Sequence, residues 1–549
     1  MRSSPRRGVW IEAFALALLA TVPLVPYALN IARQAIPRFS LLGDFAALEV
    51  ATRFVGDGTI LGPYSRFRFS HPGPLYFYVL APFYRLTGGD SSALYWGAIG
   101  INFLSGAALV MATRIFATRA HAFVAVGVLL AWFCAFGNVS FNPWNPAVIT
   151  LALTTYLALA AFVAEGKAGA AWCAVLFGAF VAQTHVGAAP TVAGVGLLAL
   201  VLLFLETRRI GMASHAKRGL AVAGALIVLT FLPPLFEQIT SPRGNITRLV
   251  EFFLEHRDHA RPITRVLKDW AIATSWLPDR TFSRTFFEDE PWWPEVIAWT
   301  PMAEGPIART PSRLAALHVV LLVAAWVVTR KTRDKTSARL VLVSLAAHAF
   351  SILALRSIVG EAMRYLIFWT TAACTVGWMG ILGAFANAAG RALRGRPLRK
   401  YAVGAVAIAT SVGLSVYTTS YQNVWLARFP TRHLEHGPLH ECYRALREKL
   451  ERDGLSPVIH LDGDWGMSTV LVLELAKDGV DVHVPERECW MYARRSCPPA
   501  ERPLHVWVGS SVHPIPQARC LETLHQSYDV VLMTSPVDVT ADVTECPPR

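Results

Sequence analysis

Residues 42–84 read LGDFAALEVATRFVGDGTILGPYSRFRFSHPGPLYFYVLAPFY, and the reading of the whole chain turns on them. They follow the first apolar segment directly. Asp44 and Glu49 read as sharing one helical face. Arg53, Arg66 and Arg68 follow, then a His71-Pro72-Gly73-Pro74 turn, then an aromatic run too short to cross a bilayer comfortably. A charged loop of this kind between apolar segments is where a membrane enzyme would keep its chemistry.

The composition sets that loop in a membrane. Of 549 residues, 54% are hydrophobic and 16% charged, with mean hydropathy +0.40; an ordinary soluble domain is nearer about 25% charged. Apolar runs recur through residues 1–420, which predicts a polytopic α-helical membrane domain with about eleven spans. They are expected near 9–31, 92–115, 122–139, 147–163, 170–186, 191–205, 220–236, 314–329, 340–358, 366–385 and 402–419. Between them lie two long outer loops, 32–91 and 238–312. Residues 74–86 read as a helix lying at the interface, with Tyr76, Phe77, Tyr78 and Tyr84 in the headgroup zone. Residues 246–256 are an amphipathic helix candidate, and the run 286–299, FFEDEPWWPEVIAW, is aromatic and acidic.

The formal charge of +13 sits largely in short loops between spans. That is a positive-inside signature rather than a nucleic-acid footprint. It places the N-terminus, with Arg2, Arg6 and Arg7, on the cytoplasmic side of the membrane. Residues 421–549 have soluble composition and alternate helix and strand patterns: helices over 439–452 and 466–477, strands over 458–461, 480–484, 506–508 and 529–533. This predicts a small extracytoplasmic α/β domain. Cys442, Cys489, Cys497, Cys520 and Cys546 all fall there without zinc-site spacing, so disulfides are expected, with one thiol left over and the pairing open. Cys134, Cys173 and Cys374 lie in apolar segments and read as core thiols.

An outer first loop with an early carboxylate (Gly43-Asp44, then Glu49) followed by His71-Pro72-Gly73-Pro74-Leu75-Tyr76 resembles the polytopic glycosyltransferases of the GT-C fold. These include protein O-mannosyltransferases, lipid A aminoarabinose transferases and actinobacterial arabinofuranosyl- and mannosyltransferases. The resemblance covers about residues 9–200. It departs where Phe45 follows Asp44 in place of a second acid and where Gly73 replaces a proline, which leaves subfamily and any divalent metal open. It implies a polyprenyl-phosphate sugar donor and a glycan, lipid or protein acceptor on the outer face, with His71-Pro72-Gly73-Pro74, Asn142-Pro143-Trp144-Asn145-Pro146 and Gln183-Thr184-His185 closest to the arabinofuranosyltransferases.

Such a reaction needs one base for the acceptor hydroxyl and cations for the leaving phosphate. Asp44 is the expected base, with a helix cap as its other reading. Glu49 reads as a second acid, a metal ligand or a partner of Arg53, and His71 as a donor-orienting group or a scaffold residue. Arg364, beside Glu361 and Tyr365, is the expected phosphate clamp or an interfacial snorkelling arginine. Arg66, Arg68 and Arg243 are secondary cations. His185 and Gln183 at a span end face an expected cavity. Asn142, Trp144, Asn145, Tyr76 and Glu237 are candidate sugar contacts, or interfacial loop residues. Trp292 and Trp293 suit either sugar stacking or an aromatic belt. Asp462-Gly463-Asp464 reads as a turn after a strand, and the chain contains no Gly-rich phosphate loop. The alternative is a transporter or flippase of lipid-linked saccharides, which would show inverted repeats that are not visible here. A non-catalytic assembly scaffold is a third reading.

Overall fold

A computed structural model of the chain describes residues 7–211, 214–276, 309–392, 397–428, 437–493, 499–511, 513, 515, 521–528 and 530–535. Among them, nine helices are long and apolar enough to cross a membrane: Arg7–Arg33, Ser92–Phe116, Asn145–Ala164, Val186–Arg209, Ala216–Thr240, Pro311–Thr332, Lys335–Arg356, Tyr365–Ala392 and Val403–Val424. Two shorter apolar helices, Arg119–Ala135 and Ala168–Thr184, complete the set of expected spans. The 17 residues of Arg119–Ala135 reach about 25 Å at about 1.5 Å per residue, against a hydrocarbon core of about 30 Å. Sequence explains where they stop. The Thr118 hydroxyl accepts from the His121 N–H at one end, and a 3-10 turn Gly137–Ser140 follows the other. Ala171–Thr184 ends because His185 is extended, at φ −150° and ψ 108°.

The chain divides into two compact units. The first comprises Met1–Arg33, Tyr95–Leu232 and Val250–Thr431. At its centre is Asn145–Ala164, whose residues are all buried. Alanine, leucine, valine and threonine surround this helix on every face, so it packs on all sides, against Ala171–Thr184, Ala189–Ile210, Lys335–Arg356 and Thr371–Ala392. The hydroxyls of Thr154 and Thr155 return to the carbonyls of Thr150 and Leu151 at 3.0 Å, which pairs both inside the helix.

The second unit comprises Gln34–Leu94, Pro233–Leu249 and Arg432–Arg549. Four strands, β1 Ser456–His460, β2 Pro503–Gly509, β3 Glu522–Ser527 and β4 Val530–Ser535, form one sheet in the order β1-β2-β4-β3. β1 and β2 are parallel; the other pairs are antiparallel. Helix Gly437–Asp453 packs on β3 and β4, and Trp465–Lys477 packs on β1, β2 and helix Gly43–Arg53. Phe39, Ala46, Ala47 and Val50 share one core with Leu446, Ile459, Leu471 and Val506. Arg38 adds an ion pair to Glu474 at 2.7 Å.

Three expectations are corrected here. The division at residue 420 gives way to a unit that takes in the first outer loop, because that loop carries an apolar helical face that completes the core. Residues 480–484 make a single bridge, Val458 to His483, rather than a strand, while β3, with the polar sequence ETLHQS, was not anticipated. The aromatic helix at 74–86 is Leu75–Leu86, but Tyr76, Phe77 and Tyr84 are buried in protein instead of standing in a headgroup zone. Cys489 is disulfide-bonded, whereas Cys442 is a buried free thiol; Cys497, Cys520, Cys546 and the run 286–299 with Trp292 and Trp293 lie outside the described residues.

Candidate functional site

Asp44 stands in the first turn of helix Gly43–Arg53 and is 8% exposed. It is not the cap, which is Leu42 with no side-chain bond. A carboxylate in a first turn lies at the positive end of the helix dipole. The Tyr64 hydroxyl donates to Asp44 Oδ1. Gly43, at φ +55°, lets Trp465 close over this corner, since a Cβ there would stand 2.9 Å from the indole. Tyr64 meets Trp465 and Trp490 edge-on, with centroids at 6.1 and 5.8 Å.

Tyr64 is held by a tight hairpin. Tyr64 bridges Ser70, Ser65 N–H donates to Phe69 O at 2.9 Å, and Arg68 turns the chain at φ +62°. The His71 N–H donates to Pro63 O at 2.7 Å. Gly62 permits this closure, because a Cβ would lie 2.4 Å from the His71 carbonyl. Asn245 then clamps the hairpin. Its Oδ1 accepts from Ser70 N–H at 2.8 Å, its Nδ2 donates to Ser70 O at 2.9 Å, and its own N–H donates to Glu237 Oε2 at 2.9 Å. Glu237 thereby positions the start of helix Asn245–Glu255.

These residues wall a cavity of about 780 Å³ within the second unit, lined by Ser70, Glu237, Arg243, Asn245, Arg248, Arg487 and Trp490 among others. Asp44 does not line it and stands behind two rings, Tyr64 and then Trp490. Tyr64, Asn245, Arg248, Trp465, Arg487 and Trp490 were not picked out from the sequence. Only Gly244-Asn245 ahead of an amphipathic run carried a local signal.

Other expected residues of this unit take different roles. Glu49 is fully buried and pairs with Lys477 at 2.7 Å, not with Arg53, while the Tyr84 hydroxyl donates to it at 3.2 Å. Burial pushes its carboxyl up, against the pull of Lys477. Five residues of helix turn through about 500°, which leaves Asp44 and Glu49 about 140° apart rather than on one face. His71 is buried at the base of the hairpin. Arg66 lies over the Phe67 ring at 4.8 Å, Arg68 is exposed at the hairpin tip, and Tyr76 is fully buried.

The first unit gathers the remaining candidates at one end of its helices. Asn142 Oδ1 accepts from Trp144 N–H at 2.9 Å, and Asn145 Nδ2 donates to Thr184 O at 3.1 Å. Gln183 donates to Thr230 O at 2.8 Å. His185 is buried, and Gly187 leaves room for its ring beside Trp369. The Trp144 and Tyr365 rings meet at 4.8 Å, and Arg364, half-buried, precedes helix Tyr365–Phe368. Within the same unit, Tyr156, Gly178, Gly196, Ala199, Ala223 and Phe231 line an apolar groove of about 360 Å³.

Ligand atoms of His460, Asp462 and Glu488 lie within 4.8 Å of one another, close enough for a cation. A guanidinium already stands among them: Arg487 Nη2 is 3.3 Å from His460 Nδ1 and 3.2 Å from Asp462 Oδ2. Glu488 accepts from the Leu461 N–H at 3.2 Å. The donor set therefore suits an arginine, and a divalent ion would have to displace it. Asp464 caps Trp465–Lys477 by accepting from Met467 N–H at 3.0 Å, and a Cβ on Gly463 would meet Val508 O at 2.2 Å, so this triplet is a turn.

No protein-family model and no curated protein matches the chain. Among solved structures it is similar to ArnT from Cupriavidus metallidurans bound to undecaprenyl phosphate, at 14% identity over 99% of this chain and 100% of that one, with a TM-score of 0.45. It is also similar to ArnT from Cupriavidus metallidurans in the apo state, at 14% identity over 96% and 98% of the two chains, with a TM-score of 0.34.

Proposed function

We propose that the chain is an integral membrane glycosyltransferase of the GT-C type, moving a pentose or hexose from a polyprenyl-phosphate donor to an envelope glycan, lipid or protein acceptor. The reaction takes place on the extracytoplasmic side of a bacterial inner membrane, with the N-terminus in the cytoplasm. The observation that carries this reading is the setting of Asp44: nearly buried, in a first helical turn, bonded to Tyr64, and two rings from a polar cavity. Asp44 takes the proton of the acceptor hydroxyl as that oxygen attacks the anomeric carbon. The bond from that carbon to the phosphate oxygen breaks, and its electron pair leaves with the polyprenyl phosphate. Arg364 and Tyr365 are assigned to the donor phosphate, whose oxygens suit a guanidinium fork. The apolar groove beside Tyr156 is assigned to the donor's hydrocarbon chain. His185, Gln183, Asn142 and Asn145 are assigned to the walls of the donor site.

The test is transfer of label from polyprenyl-phosphoryl arabinose and polyprenyl-phosphoryl mannose to envelope acceptors in proteoliposomes. The wild-type protein is expected to transfer, and Asp44→Asn to fall by about 100-fold or more. Equal transfer by both proteins would remove Asp44 from the chemistry. Passage of labelled lipid across the bilayer without transfer would instead identify a flippase.

A further inference from the structure

The cavity of the second unit has a chemistry of its own, apart from the base that Asp44 would supply. Its volume of about 780 Å³ falls within the ~300–1,000 Å³ of small-molecule sites. Arg243 and Arg248 line it with the indole of Trp490, and Arg487 lines it too, though its guanidinium is already engaged with Asp462 at 3.2 Å. The two lining carboxylates are Glu237 and Glu486, and Glu237 is already committed to the Asn245 N–H. Trp490 is fixed from behind, since its Nε1 donates to Arg487 O at 3.0 Å and its ring abuts Tyr64. A prenyl or acyl chain would strip water from these charges without replacing it, so a hydrocarbon occupant is disfavoured. A flat apolar ring face beside guanidinium forks is the complement of a saccharide that carries phosphate or carboxylate.

From this we infer that the cavity is an anionic-saccharide site, and that the acceptor of the proposed transferase is a glycan bearing phosphate or uronate groups. The second half rests on the transferase reading; the first does not, and direct binding tests it alone. The experiment uses the full chain in detergent micelles, with tryptophan fluorescence and calorimetry as readouts. The probes are glucose 1-phosphate, methyl glucuronide, methyl glucoside and inorganic phosphate. The charged sugars are expected to bind at least about tenfold more tightly than either methyl glucoside or phosphate, because ring and charge are recognised together. Raising salt from about 0.05 to about 0.3 M should weaken them, as expected for partly exposed charge contacts. Arg243→Gln with Arg248→Gln should abolish the preference for charge, and both positions are exposed, so the fold should tolerate the change. Trp490→Phe should weaken all three sugars while leaving phosphate unchanged. Equal binding of charged and neutral sugars, or of phosphate and glucose 1-phosphate, would overturn the inference. So would an arginine double variant with unchanged affinities. Loss of transfer with binding intact would count against the transferase reading alone.

Discussion

Asp44 meets a tyrosine hydroxyl at a helix N-terminus, while Glu49, five residues on, is sealed against Lys477. Asp44 was legible in the sequence because a carboxylate after glycine at the edge of an apolar run is conspicuous. Its partner was not, because Tyr64 reaches it only through a hairpin closed by Gly62 and clamped by the distant Asn245. The same limit hid His460. That imidazole stacks on Trp507 at 4.0 Å, and its Nε2 is hydrogen-bonded to His505 Nδ1 at 2.9 Å. Burial, then the charges of His505 and Arg487, push its pKa down to about 3. The folded chain thus keeps it neutral where the unfolded chain would protonate it near pH 6.5. Stability is full above about pH 6.5 and declines as the pH falls towards 3, by about 2 kcal/mol at pH 5. Chemical unfolding at pH 7 and pH 5 should show this loss, and His460→Gln should diminish it. An equal loss in both proteins would assign the acid sensitivity elsewhere.

Among the elements, helices were read well because length and hydropathy alone define a span. Asn145–Ala164 and Lys335–Arg356 fall where apolar runs placed them. β3 escaped because ETLHQS shows no apolar alternation, and the strand exists through its pairing with β4. Helix Leu75–Leu86 was found but given the wrong surroundings, since aromatic residues suit a protein core as well as a bilayer interface. The pairing of Gly43–Arg53 with Trp465–Lys477 carries a quantitative consequence. Removing the cation in Lys477→Met leaves Glu49 enclosed without its counter-ion and drives its carboxyl towards the protonated form, at a cost of about 3–5 kcal/mol. Glu49→Gln in the same chain should recover most of that loss. Melting temperatures of the single and double variants measure it, and simple additivity would show that the two side chains are not coupled.

For the whole molecule, the span-rich half and the α/β half were both foreseen, but not which segments make up the second unit. Composition separates apolar from polar stretches; it cannot show that Phe39, Ala46 and Val50 share a core with strands that begin more than four hundred residues later. Nor could spacing show that Cys442 is a buried free thiol while Cys489 is bonded. The 3-10 segment Glu486–Tyr492 carries both the bonded Cys489 and the cavity residues Arg487 and Trp490. Reduction with dithiothreitol, or Cys489→Ser, should therefore weaken glucose 1-phosphate binding several-fold and lower the unfolding free energy by about 2–5 kcal/mol. Unchanged binding after complete reduction would show that the segment keeps its shape without the bond.

The three separate stretches that make up this unit also impose an order on biosynthesis. The helix bearing Asp44 leaves the ribosome among the first sixty residues, yet its apolar face finds its partners only when the last hundred or so are synthesised. Until then the nascent chain must shelter that face. A message truncated before β1 would thus yield a protein that threads the bilayer but presents an uncovered, aggregation-prone helix.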